Sequence, residues 1–331
     1  MRGPAAAPYA LSWSKDVDVS TSALVVVGNL FITAGQGTPL QARARTLGDV
    51  AWTSTITDTA LLTVGDDLVF AAGGGHLRAL DPASGMTRWT TTIAEETQWV
   101  TPAGAIVLTS GGSEIRALRT SDGSEVWRVA PGAAASTRVA LDGTVAVVGL
   151  ADRGLVALDA STGTERWRFV LDEVPIAVGA SQGVAYVGLT SVTTCAFTEA
   201  AGAKIWCSHP RVPITGDPII DERNINVALF DGTFRAFDRR GGTQKAMEPL
   251  GGRPVAGPQR AGTTLAVPLS NASIMFVGRK AGQITRLAPP GTQLLLQAVI
   301  TPDGKTVVTL IASPDGGRAL SVYELKPPAA K

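Results

Sequence analysis

Seven glycines recur along this chain at nearly constant intervals. Gly48, Gly85, Gly123, Gly163, Gly202, Gly242 and Gly282 are separated by 37, 38, 40, 39, 40 and 40 residues. Four residues after the first five stand Trp52, Trp89, Trp127, Trp167 and Trp206; Ala246 and Arg286 then keep the spacing but break the Trp rule. Self-similarity at a period of about 40 residues means stacked supersecondary units, and this period matches a four-stranded propeller blade.

The cleanest copy, Ala157 to Trp167, reads Ala-Leu-Asp-Ala-Ser-Thr-Gly-Thr-Glu-Arg-Trp. It returns from Ala79 to Trp89, Ala117 to Trp127 and Ala196 to Trp206, with a weaker copy from Ala42 to Trp52. Each copy reads as two strands folded back around the Gly. In an antiparallel hairpin, partners satisfy a constant sum of residue numbers, so Ala157 is expected opposite Trp167. A small residue facing an indole lets the ring lie flat against the neighbouring blade, which should stabilise by a few kcal/mol at ~25 cal/mol per Å². The Gly supplies the positive φ of the turn, while Asp81 and Asp159 are placed to accept from its N–H groups. The Trp residues are therefore expected to be structural.

Alternation and turn residues give four strands per unit. In the fourth they run from Thr137 to Leu141, Thr144 to Leu150, Gly154 to Asp159 and Glu165 to Val170, lettered A to D from inside to outside. The last unit has A (Gln297 to Pro302), B (Lys305 to Ser313) and C (Arg318 to Leu325) but no D. At the other end, Tyr9 to Val17 carries Trp13, which lies 39 residues before Trp52. This orphan D strand is expected to complete an eighth blade and close the ring, protecting both edges. The expected fold is all-β: an eight-bladed propeller, with seven blades as the alternative. One domain spans residues 9–326, after a linker at 1–8 and before a frayed tail at 327–331.

The motif Ala-x-Asp-x-x-Thr-Gly-x-x-x-Trp resembles the repeat of the pyrroloquinoline quinone (PQQ)-type β-propellers, over almost the whole chain. That family includes quinoprotein dehydrogenases, which bind PQQ and calcium, and extracellular sensor domains of bacterial Ser/Thr kinases. It also includes non-catalytic eight-bladed propellers, such as the lipoprotein of the outer-membrane β-barrel assembly machine, which this chain resembles. The quinoprotein enzymes are far longer and carry an adjacent Cys pair beside the cofactor. This chain has no Cys-Cys step, so the resemblance implies no PQQ and no other cofactor.

Cys195 and Cys207 are the two cysteines, and 195 + 207 equals 196 + 206, the sum of the Ala196/Trp206 pair. They are expected opposite one another and joined as a disulfide, the alternative being a pair of neighbouring buried thiols. A disulfide would add roughly 3 kcal/mol in the chain-entropy model and would place the protein outside the cytoplasm. Two Cys with His209 alone are too few for a zinc site. The N-terminus, Met1 to Pro8, has no apolar signal core, so export implies a leader or anchor outside this sequence.

Net charge is +1, without like-charge blocks, and no apolar run reaches the length of a membrane helix. Nucleic acid is therefore not an expected partner, and the membrane only through an anchor. With His76 and His209 the only histidines, a His-based triad or metal cluster has little material. The remaining candidates fall where D–A and B–C loops meet: Glu95, Glu96 and Trp99, then Asp172 and Glu173, then His209 and Arg211. Asp152, Arg153, Asp231 and Arg253 lie in the same loop set. Such carboxylates can act as an acid–base pair or bind calcium, but on a propeller they commonly just solvate loops. Trp99, outside the repeat position, is either a partner-binding anchor or a core residue of its strand.

The expected function is a non-catalytic, extracytoplasmic scaffold or ligand sensor. As a monomeric domain it would bind an envelope protein or cell-wall ligand through its loop face. The alternatives are a PQQ-dependent or carboxylate-based enzyme, and a sensor domain of a membrane-anchored kinase or receptor.

Overall fold

The computed structural model describes residues 4–190, 193–278, 282–289 and 293–326. The tail at 327–331 lies outside the described residues. Among these residues there is no helix, and the strands form eight sheets. Seven sheets have four strands and one has five. In the fourth unit the strands are Ala140–Asp142, Val145–Gly149, Gly154–Asp159 and Glu165–Val170, paired in chain order. Strand A starts later than its alternation predicts because the Thr137 hydroxyl accepts from the Gly149 N–H at 2.9 Å, taking the place of a ladder bond.

The constant-sum pairing holds. Ala157 faces Trp167 and Cys195 faces Cys207, with a register shift just after the small residue. Alanine also faces tryptophan in the first three units. In the turns, Asp159 Oδ1 accepts from the N–H groups of Ser161 and Thr162 at 2.9 and 3.1 Å. The Arg166 guanidinium, followed by those turn donors, holds this carboxyl far below the usual carboxylate range.

Tyr9–Val17 pairs antiparallel with Arg318–Leu325, outside Thr306–Ala312 and Leu294–Ile300. The eighth blade is thus built from both ends of the chain. Inner strands of most neighbouring blades contact one another, including those of the eighth and first blades. The ring is closed.

The hydrophobic core lies in the seams between blades. The Trp127 cluster joins Leu108 and Ile115 of the third blade to Val148 and Leu158 of the fourth. Each repeat Trp reaches across its seam to the next blade. Its indole N–H donates to a backbone carbonyl three residues before that blade's turn Gly, at 2.6–3.0 Å. The ring covers the Gly itself. A Cβ at Gly48, Gly85, Gly123, Gly163, Gly202 or Gly242 would approach the indole to 2.4–2.8 Å. These glycines therefore satisfy two demands, a φ of +64° to +74° and the close approach of a ring.

Two seams lack the Trp. Between blades six and seven, where Ala246 stands, the Glu248 carboxylate accepts from the Gly282 N–H at 2.7 Å. Between blades seven and eight, where Arg286 stands, the N-terminal segment takes over. Ala5–Ala6, inside the stretch read as a linker, pairs parallel with Ile284–Leu287 as a fifth strand. The physical reason is a four-residue outer strand with no Trp to cover its edge. Ala7 is buried, and Tyr9 stacks on Phe276 at 5.0 Å while its hydroxyl donates to Gly304 O at 2.6 Å.

Candidate functional site

The antiparallel order puts the D–A and B–C loops on one face and the A–B and C–D turns on the other. Glu95 and Glu96 lie exposed between Thr87–Thr92 and Thr97–Ala103, against the B–C glycines Gly75 and Gly112. Trp99 sits at a bulge opposite Ser110 and packs, half-buried, on the cluster that joins blades three and four. Asp172 is exposed, and half-buried Glu173 accepts from the Thr190 hydroxyl at 3.1 Å. Exposed His209 meets the Thr193 hydroxyl through Nδ1 at 3.1 Å. Arg211 is exposed with φ +68°, and Arg153, in the B–C loop of blade four, has φ +73°.

These loops are held by arginines that the motif did not highlight. Arg78, Arg116 and Arg235 occupy the same place, three residues before Asp81, Arg119 and Asp238 in their C strands. Arg78 forms a bidentate pair with Asp58 at 2.9 and 3.0 Å. Arg116 donates to Thr92 O at 2.9 Å, and Arg235 to Pro210 O at 2.8 Å. Each anchors the loop entering its own blade. In blade four Val156 holds that place, and its cross-strand partner Arg168 donates to Pro131 O at 2.8 Å instead. In blade five both places belong to the cysteines, which form a disulfide with Cα atoms 4.1 Å apart. That spacing fits a close, non-hydrogen-bonded antiparallel pair. A period of 40 plus a fixed offset from the motif Asp is the signal that would have found these braces.

The structure spreads the candidates over several seams and gathers them into no single cluster. Among the described residues, no group of three or more His, Cys, Asp or Glu side chains is placed to hold a metal. The inner strands of blades five to seven line a cavity of ≈ 240 Å³ through Gly179, Ser181, Pro218, Ile219 and Arg260. PQQ is a tricarboxylate, and Arg260, the one cation of that lining, is already bonded to Ile220 O at 2.9 Å. These residues do not fit the quinone.

The strongest carboxyl perturbation is on the opposite, turn face. Glu199 is 4% exposed, and its Oε1 has no hydrogen-bond partner. Burial, then neighbouring Asp142, pushes its pKa up to about 8, only partly offset by a hydrogen bond from the Ser181 backbone and by Arg239. Asp142 itself accepts from the Gly183 N–H at 2.8 Å across the seam between blades four and five. Asp217 is raised by burial and eased by Arg138, which reaches it from blade four at 2.7 Å.

Comparison with known proteins now bears on this geometry. The family model described as outer membrane protein assembly factor BamB matches residues 6–101 and 73–187, together more than half of the chain. The chain belongs to that family. BamB from Moraxella catarrhalis superposes with a TM-score of 0.73 at 20% identity, covering 96% of this chain and 99% of that one. The computationally designed Ika8 protein gives 0.80 at 13% identity, with 94% and 98% covered. Sqt1 of Saccharomyces cerevisiae gives 0.79 at 13% identity, with 98% and 100% covered. These likenesses, all at low identity, establish the fold. No curated protein sequence matches the chain.

Proposed function

We propose that this BamB-family propeller is a non-catalytic, extracytoplasmic scaffold or ligand sensor. Its loop face binds an envelope protein or a cell-wall ligand, through Glu95, Glu96, Trp99, Asp172, Glu173, His209 and Arg211. The observation that carries the reading is the bracing. Glu95 and Glu96, and His209 and Arg211, sit exposed on loops that Arg116 and Arg235 pin to a closed ring, which presents them in fixed positions without converging them on one reacting atom. Rigid presentation lowers the ordering cost of docking a partner. Family membership supports the same reading, since the matched family is described as an assembly factor. The disulfide supports an oxidising compartment.

The test is site-specific photo-crosslinking in intact cells. A benzophenone side chain at position 96, 172 or 211 is expected to capture a discrete envelope partner, and one at turn-face positions 122 or 161 is not. Capture from the turn face alone would overturn the assignment.

A further inference from the structure

Across blades five to seven the loop face carries a cationic and apolar patch in which, among the described residues, Arg211 and Arg253 have no acidic partner. Arg211 stands five residues past the repeat Trp, where two of the other loops have Gly132 (φ +96°) and Gly251 (φ +70°). An arginine held at φ +68° is a local strain maintained by its surroundings, and such strain concentrates at functional positions. The surroundings are visible. Arg235, with 12% of its side chain exposed, donates to Pro210 O at 2.8 Å and pairs with Asp231 at 2.7 Å. One guanidinium thereby locks the loop bearing Arg211 to the loop bearing Phe230. Phe230 in turn is covered by Arg253, whose Cζ lies 4.5 Å from the ring centroid.

Among the described residues, neither Arg211 nor Arg253 has an ion pair or a side-chain hydrogen bond. The nearby Asp231 is already committed to Arg235. Phe230 and Val255 remain 41% and 42% exposed beside these cations. Stacking on a ring pre-positions a guanidinium while leaving its N–H fork available to a carboxylate.

We propose that this patch docks an acidic protein segment bearing an apolar side chain. Its carboxylates meet Arg211 and Arg253, and its apolar group covers Phe230 and Val255. A polyanion without apolar groups would leave that surface wet, which is why a peptide is favoured over an anionic polymer or a lipid headgroup. The inference rests on the loop-face reading above and names the chemistry of its partner.

Fluorescence anisotropy with a labelled twelve-residue Asp/Glu-rich peptide carrying two Leu tests it, at low and physiological salt. Arg211→Ala and Arg253→Ala are each expected to weaken binding about tenfold, with unchanged melting profiles. Arg88→Ala, on the turn face, is expected to leave binding intact. Replacing the two Leu by Ser should also weaken binding. Wild-type affinity in either Arg variant, or tighter Arg-dependent binding of polyphosphate or anionic phospholipid vesicles, would overturn the proposal. If crosslinking at position 96 or 172 captures a partner while the peptide fails to bind, the loop-face reading stands and this inference falls.

Discussion

Blades one to five and blades six to eight solve the same problem, sealing one sheet against the next, by different means. The regular blades use one large plug per seam: an indole that buries its ring on the next turn Gly and donates its N–H to that turn. The two seams without a Trp add polar contacts to their apolar clusters, and the second also takes up the N-terminal strand. Glu248 takes the Gly282 N–H, and Gln259 spans blades seven and eight by donating to Ala298 O at 2.9 Å. The closing seam has both kinds. Trp13 plugs Gly48, Gln297 both donates to and accepts from the Leu24 backbone, and Arg45 pairs with Glu324 through two contacts of 3.0 Å. The difference teaches that the Trp is a solution to the seam, and the seam survives where other residues meet the same geometric need.

The strongest way to break this comparison is Trp127→Ala, which empties a 7%-exposed ring site and orphans the Ala160 carbonyl. We expect a loss of about 3–5 kcal/mol, read from urea unfolding.

Next is the pH dependence of the seam between blades four and five. Glu199 has a folded-state pKa raised to about 8, above its ordinary value, so it contributes stability that is full at low pH. That contribution is lost as pH rises through about 8, at up to about 1.4 kcal/mol per pH unit. Glu199→Gln should flatten the decline between pH 5 and 8. An unchanged slope would clear this carboxyl.

Reduction of Cys195–Cys207, closing a separation of 12 residues, should cost about 3 kcal/mol in the chain-entropy picture. Denaturant midpoints with and without a dithiol measure this.

A glycine pair sharpens the comparison directly. Gly163→Ala places a Cβ 2.7 Å from Trp127, whereas Gly282→Ala meets nothing within 4 Å, and both have positive φ. The second should cost about 1 kcal/mol of backbone strain and the first distinctly more. Equal losses would mean that the turn conformation, and not the indole, selects Gly.

The smallest effect is at the closing clamp. Gln297→Ala removes two hydrogen bonds to the Leu24 backbone and should cost about 1 kcal/mol, seen as a small drop in melting temperature.

The loop site was only partly legible. The positions of Glu95, Asp172 and Arg211 on one face follow from strand count, because alternate connections of an antiparallel sheet share an end. Their setting did not follow. Arg235 reaches Pro210, and Arg253 covers Phe230, through side chains whose direction depends on how two blades meet.

By itself the sequence determined what is local: the hairpin register that pairs Ala157 with Trp167 and Cys195 with Cys207, and the blade count that closes on Trp13. Within a hairpin the turn sets every cross-strand pair, so a residue number is enough. Only the tertiary structure decided which Trp covers which Gly, that Ala5–Ala6 becomes a parallel fifth strand, and that Glu199 is buried beside Asp142. Those contacts join residues that no turn holds in register. They exist because the closing ring brings one blade's outer hairpin against the next, and packing at that seam selects the partner.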